Sequence, residues 1–280
     1  MTVMFPAALI GLLRIVVLTV GEEDPSVVAG VRALGADTVV TYARPSATAS
    51  ALAAANGLRY IPFLSVADAD RLMIDGDFLQ AMRAIPADGY HYYSEEAIEG
   101  YTTPQDQARA YGILKAVFPD ATVIYATRLD PVASDPAFLD GYFRPEDSDL
   151  VAPYFYPVGT TILGTYREDD GWEERLASLL APVAARVPAG KRVLPVLQAF
   201  AQDGYPVGAD FPARQLDVYR QFWPDLHDVA GFWWGDAGGG PLFGLASEPV
   251  LARALTRLFY GLTPEPAVRA VGPRAARLVP

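Results

Sequence analysis

Runs rich in apolar, β-branched and aromatic residues alternate along the chain with runs whose apolar positions recur at helical spacing. Arg14–Val20 (RIVVLTV) is followed by GEED and the helix-like PSVVAGVRALG. Asp37–Tyr42 (DTVVTY) precedes SATASALAAANG, and Tyr60–Ser65 (YIPFLS) precedes DFLQAMRAI. Gly89–Glu95 leads into PQDQARAYGILKAV, Ala121–Thr127 (ATVIYAT) into DPAFLDGYF, and Leu150–Tyr156 (LVAPYFY) into DGWEERLASLLAPVAARV. Arg192–Phe200 (RVLPVLQAF) and Val229–Trp234 (VAGFWW) precede PARQLDVYRQF and EPVLARALTRLFYGL. Near-continuous apolar strands separated by helices predict a parallel sheet under a helical layer. Eight strand-then-helix units in 280 residues predict an α/β fold, a single (βα)8 TIM barrel. An open doubly wound sheet of similar content is the alternative. No linker divides the chain, so residues 1–262 are read as one barrel domain and the Pro-rich stretch 263–280 as a tail on its surface. Thr103-Pro104 reads as a helix cap with proline in the first turn. Gly35, Gly57 and Gly190 fall where a helix should give way to the next strand.

Composition narrows the function. With 51% hydrophobic and 20% charged residues the chain is globular rather than disordered. A formal net charge of −11 makes nucleic acid and anionic membranes poor partners. There is no cysteine, so thiol chemistry and thiolate metal sites are excluded. His91 and His227 are the only histidines, fewer than a zinc hydrolase normally needs, and metal-free chemistry without a cofactor is expected. No basic region precedes Arg14, so the apolar Leu12–Val20 is read as a buried first strand rather than a secretion signal. The chain as written is expected in the cytoplasm, or outside the cell if a signal has been trimmed. Oligomeric state is not legible.

Active sites of such barrels lie at the C-terminal ends of the strands. That rule selects Glu22, Glu23 and Asp24 after the first strand, Tyr42 and Arg44 after the second, and Ser65 and Asp68 after the third. The fourth supplies His91, Tyr93, Glu95 and Glu96, and Asp130 follows the fifth. Tyr154 and Tyr156 close the sixth, Gln198 and Gln202 the seventh, and Trp233, Trp234 and Asp236 the eighth. Alternation along a strand puts His91, Tyr93 and Glu95 on one face. A helix-facing glutamate would be costly unless paired, so Glu95 is the better inward acid. The bland alternative is that both glutamates are solvated loop charges.

Three segments carry a resemblance. DGYHYYSE (Asp88–Glu95) resembles the family 18 chitinase signature DGxDxDxE, whose last residue is the general acid. Asp88, Gly89 and Glu95 match, while His91 and Tyr93 replace the two middle aspartates. The same stretch resembles the Y-x-x-D-E-P strand end of other barrel glycosidases, with Glu95 again the glutamate and Glu96 in the proline's place. DLVAPYFYPVG (Asp149–Gly159) resembles the sixth-strand pattern D-x-I-x-x-D-x-Y-P, with Tyr154 where an acid is often found. GFWWGD (Gly231–Asp236) resembles a last strand whose tryptophan floors a sugar subsite.

The resemblance implies a TIM-barrel glycoside hydrolase-like protein with Glu95 as general acid. It also departs from both families. The aspartate that positions the acetamido group in family 18 is missing, and Gln198 stands where clan A enzymes carry their seventh-strand glutamate. Glycoside hydrolysis usually needs a second carboxylate, and Glu22, Glu23, Asp130 and Asp236 are candidates. An acid among aromatic rings would be shifted upward by desolvation, as its role requires. Tyr93, Tyr154, Tyr156, Trp233 and Trp234 suit the apolar faces and polar edges of sugars, with His91, Gln198 and Asp236 as polar partners. There is no G-x-S-x-G elbow, P-loop or G-x-G-x-x-G after a strand. The expected function is a metal-independent glycosidase acting on an oligo- or polysaccharide. A glycan-binding barrel without turnover, and a metal-free lyase or isomerase using Glu95 as base, are the alternatives.

Overall fold

The computed structural model describes residues 13–18, 21–93, 103–129, 138–161, 164–168, 170–202, 206–226, 228–233, 242–243 and 249–261. The tail 263–280 lies outside them. The strands are β1 (Arg14–Leu18), β2 (Thr38–Thr41), β3 (Arg59–Pro62), β4 (Gly89–Tyr93), β5 (Thr122–Arg128), β6 (Leu150–Tyr154), β7 (Gly159–Thr161) and β8 (Gly164–Tyr166). They continue with β9 (Arg192–Val193), β10 (Val196–Gln198), β11 (Ala201–Gln202), β12 (Val229–Trp233) and β13 (Leu242–Phe243). The helices are α1 (Pro25–Ala33), α2 (Ala47–Ala55), α3 (Val66–Ile74), α4 (Gly76–Arg83), α5 (Pro104–Val117), α6 (Phe138–Tyr142), α7 (Trp172–Ala184), α8 (Phe211–Arg220) and α9 (Pro249–Gly261).

Parallel pairing runs in the order β3-β2-β1-β12-β10-β6-β5-β4. The ring closes between β3 and β4 through the Phe63–His91 bridge, the Leu64 N–H on the His91 carbonyl at 3.1 Å and the Asp88 N–H on the Tyr60 carbonyl at 2.8 Å. The molecule is therefore a (βα)8 barrel. Its seventh strand is broken: β9 pairs with β6, Leu194 and Pro195 interrupt the ladder, and β10 resumes beside β12. The third unit carries two helices, α3 and α4, where the sequence pattern suggested one.

Two apolar layers hold the ring. Val16, Val39, Tyr60, Tyr90, Val123, Tyr125, Val151 and Leu197 pack outward under the helices. Ile15, Val17, Val40, Ile61, Ile124, Ala152, Val196 and Ala230 fill the interior. Each buried aliphatic side chain contributes about 1.5–3 kcal/mol, so the alternation of faces fixes the register. Gly35 and Gly57, at φ +90° and +65°, end α1 and α2 in the left-handed conformation that glycine adopts without strain. Gly190 makes a separate turn well past α7. Thr103 caps α5 in a reciprocal box with Asp106.

Four aspartates close the barrel's lower rim. Asp37 precedes β2 and accepts the Arg14 N–H at 3.3 Å. Asp88 precedes β4 and accepts the Tyr60 N–H at 2.8 Å. Asp149 precedes β6 and accepts the Val123 N–H at 2.9 Å. Asp228 precedes β12, the eighth barrel strand, and accepts the Leu13 N–H at 2.9 Å. Every second strand thus begins with a carboxylate that satisfies an amide at the foot of a neighbour. Three of these carboxylates also hold a cation: Asp37 with Arg14 and Arg59, Asp149 with Lys115, and Asp228 with Arg192. No described helix is long and apolar enough to cross a membrane.

Candidate functional site

The upper ends of the strands carry a belt of aromatic rings. Tyr156 lies 4.9 Å from Phe232, 5.1 Å edge-on from Phe200 and 5.5 Å from Tyr154. Tyr42 meets Phe232 edge-on at 5.6 Å and His91 at 6.0 Å. Phe63 meets His91 at 5.6 Å. Tyr154, Phe200 and Phe232 are buried, whereas Tyr42, Phe63 and Tyr156 are half-buried and mark the boundary between core and mouth. Below the belt lies a cavity of about 30 Å³ lined by Val17, Val40, His91, Ile124, Ala152 and Val196 among others. That is room for about one water.

His91 is buried on the interior face of β4. Its Nε2 lies 2.6 Å from the Thr41 carbonyl. A carbonyl can only accept, so Nε2 carries a hydrogen and donates it. Burial pulls the imidazole down to about 4, against the upward effect of that hydrogen bond. It is a fixed, uncharged ring in the wall of the cavity.

Gln198 ends β10 and is fully buried. Its Nε2 donates to the Val158 carbonyl at 2.8 Å and to the Phe200 carbonyl at 3.2 Å, and its Oε1 accepts the Val158 N–H at 3.1 Å. Both amide protons are committed to backbone. Tyr154 and Tyr156 share the interior face, as regular alternation requires.

Glu22 is half-buried and Glu23 exposed. Glu23 accepts a hydrogen bond from the Ser46 hydroxyl, which ties the loop after β1 to the cap of α2. Asp68, buried after β3, pairs with Arg44 and with Ser65 at 2.8 Å, so these strand-end residues brace α3. Tyr93 and Trp233 are the last residues of β4 and β12, opposite Ala126 and Leu18. Glu95, Glu96, Asp130, Trp234 and Asp236 lie outside the described residues.

Three residues at the mouth were not singled out from the sequence. Phe200 and Phe232 join the belt, and both follow from alternation once Val196 and Ala230 are known to face inward. Arg128 ends β5 beside Tyr154, on the register of Ile124 and Ala126, and brings a half-buried cation to the rim.

The segments after β6, β10 and β12 carry additional short strands. β7 and β8 form a hairpin, and β11 pairs antiparallel with β13. Glu168 accepts hydrogen bonds from the Gly208 N–H and from Arg214 at 3.2 Å, which joins the loop after the hairpin to the segment before α8. Among the described residues no three His, Asp or Glu side chains converge on a metal-sized site.

No protein-family model matches the sequence, and no curated protein is significantly similar to it. Solved structures do match. The PgaB (BpsB) glycoside hydrolase domain from Bordetella bronchiseptica is 14% identical, with a TM-score of 0.58 over 89% of this chain and 99% of that one. A psychrophilic glycoside hydrolase family 10 endo-β-1,4-xylanase is 10% identical, with a TM-score of 0.55 over 86% of this chain and 96% of that one. At these identities the likeness is one of architecture: the chain has the TIM-barrel fold that these glycoside hydrolases share.

Proposed function

We propose that the protein is a glycoside hydrolase-like enzyme that acts on an oligo- or polysaccharide at the C-terminal mouth of the barrel, with Glu95 as general acid. The observation that carries this reading is the aromatic belt. Half-buried Tyr42, Phe63 and Tyr156 over a buried layer of Tyr154, Phe200 and Phe232 offer ring faces suited to the apolar side of a pyranose. β4 ends two residues before Glu95, so the acid follows a strand directed at that mouth. In the proposed reaction Glu95 protonates the leaving oxygen as the glycosidic bond breaks, and a second carboxylate serves as nucleophile or as base for water. Glu23 is bound to Ser46, which favours Glu22, Asp130 or Asp236 for the second role. The barrel folds of the PgaB domain and the xylanase are consistent with carbohydrate chemistry here.

The test is turnover of a panel of oligosaccharides and aryl glycosides by wild type, Glu95→Gln and Glu96→Gln. Loss of a general acid costs about 10²–10⁴-fold, so Glu95→Gln should fall by that factor and Glu96→Gln by far less. Equal rates for Glu95→Gln and wild type would overturn the assignment. A second reading, a glycan-binding barrel without turnover, is favoured by Gln198. The strand-seven position holds an amide committed to backbone rather than a carboxylate. Tight binding by the wild type with no hydrolysis of any bound sugar would select it.

A further inference from the structure

We propose that Gln198 is a positioning residue that holds Tyr156 at the barrel mouth as a ligand-facing ring. β6 and β10 pair only at Tyr154–Val196; above that step the two strands part. The chain beyond β6 nevertheless stays close, with Pro157 and Val158 buried. A buried peptide needs both its donor and its acceptor satisfied. The Gln198 side chain does this for Val158, accepting its N–H at 3.1 Å and donating to its carbonyl at 2.8 Å. One side-chain amide therefore replaces the ladder step that the parted strands no longer make.

Gln198 is fixed in turn. Its own N–H donates to Gln215 Oε1 at 3.0 Å, and Gln215 Nε2 donates back to its carbonyl at 3.3 Å. Gln215, on α8, is fully buried. A glutamine pair thus spans helix, seventh strand and the segment after the sixth. Tyr156 sits two residues before the clamped peptide, seated against Phe200 and Phe232. Gly159, at φ +123°, turns the chain away immediately after it. Release of Val158 would free Tyr156 to leave the belt.

The experiment uses the full chain with a 3-fluorotyrosine label at Tyr156, and separately at Tyr125, whose hydroxyl is held by the Tyr142 carbonyl on the helix side of β5. Gln198→Leu should shift or split the Tyr156 fluorine signal and leave the Tyr125 signal in place. Gln198→Glu should restore the wild-type Tyr156 signal at acid pH, where a neutral carboxyl can both accept from and donate to Val158. It should lose that signal at higher pH, where the carboxylate faces a carbonyl oxygen. An unmoved Tyr156 signal in Gln198→Leu, or equal movement of both labels, overturns the proposal. If Gln198→Leu does not fold, the Gln198→Glu titration decides alone, and a Tyr156 signal constant across it overturns the proposal. A ligand arm rests on the carbohydrate reading: affinity for cellohexaose or chitohexaose should weaken about tenfold in Gln198→Leu. Wild-type protein that binds neither hexasaccharide counts against that reading and leaves the positioning role to the fluorine signals.

Discussion

The His91 imidazole reaches past β3, with its Nε2–H on the Thr41 carbonyl of β2. Burial pulls it down to about 4 from an ordinary 6.5. Between those values the unfolded chain takes up a proton that the folded one refuses. Stability is therefore complete above the ordinary value and falls as the pH drops toward the folded one, by on the order of 3 kcal/mol in all. Urea unfolding at pH 7.5 and pH 5 should show wild type losing clearly more stability than His91→Phe. Equal losses would mean that His91 is not the group responsible. The sequence pattern already put His91 on the interior face, because alternation is local. Its bond to Thr41 was not legible, since it depends on ring closure bringing β4 around to β2. Gln198 shows the same limit: as a letter it reads as a missing nucleophile, and only the parting of β6 from β10 gives its amide a purpose.

Among the elements, β4 explains a motif match in structural terms. Asp88 and Gly89 belong to the stretch that resembles the chitinase signature, yet both sit at the foot of the barrel. A Cβ on Gly89 would lie 2.1 Å from the Thr122 carbonyl oxygen, a backbone atom of β5 that cannot step aside. On Gly231 it would lie 2.7 Å from Leu255 Cδ2, the end of a flexible side chain on α9. Gly89→Ala should therefore cost about 3 kcal/mol or more and Gly231→Ala about 1–2 kcal/mol, measured by urea denaturation. The reverse order would refute the close-approach argument. Asp149, matched in the sixth-strand motif, is likewise a staple on Val123 N–H. Most elements were legible because parallel strands buried on both faces read as unbroken apolar runs. The break at Leu194-Pro195 was hidden for the same reason, since an apolar run does not report whether its ladder is continuous. α3 was obscured by its start, where Ser65 and Asp68 resemble site residues and serve instead as its cap.

At the scale of the whole molecule, the count of eight units was enough to predict the barrel. The aromatic belt followed in part from strand-end positions. The short β7–β8 and β11–β13 pairs did not, because they are too brief to show periodicity. The four lower aspartates offer a global test. Asp228→Ala removes both the Leu13 bond and the Arg192 pair, and should cost about 1.5–3 kcal/mol by urea unfolding. Asp228→Asn, which keeps an acceptor for Leu13, should cost less, and a larger loss in Asn than in Ala would contradict the stapling role. These carboxylates also differ in reach along the chain. Asp37, Asp88 and Asp149 join residues 23, 28 and 26 apart, whereas Asp228 joins residues 215 apart. On a ribosome, three of the latches can shut as each pair of strands emerges. The fourth must wait until Asp228 has emerged, and until then β1 lacks its β12 neighbour, so that Ile15 and Val17 offer an aliphatic surface to any chaperone that reads one.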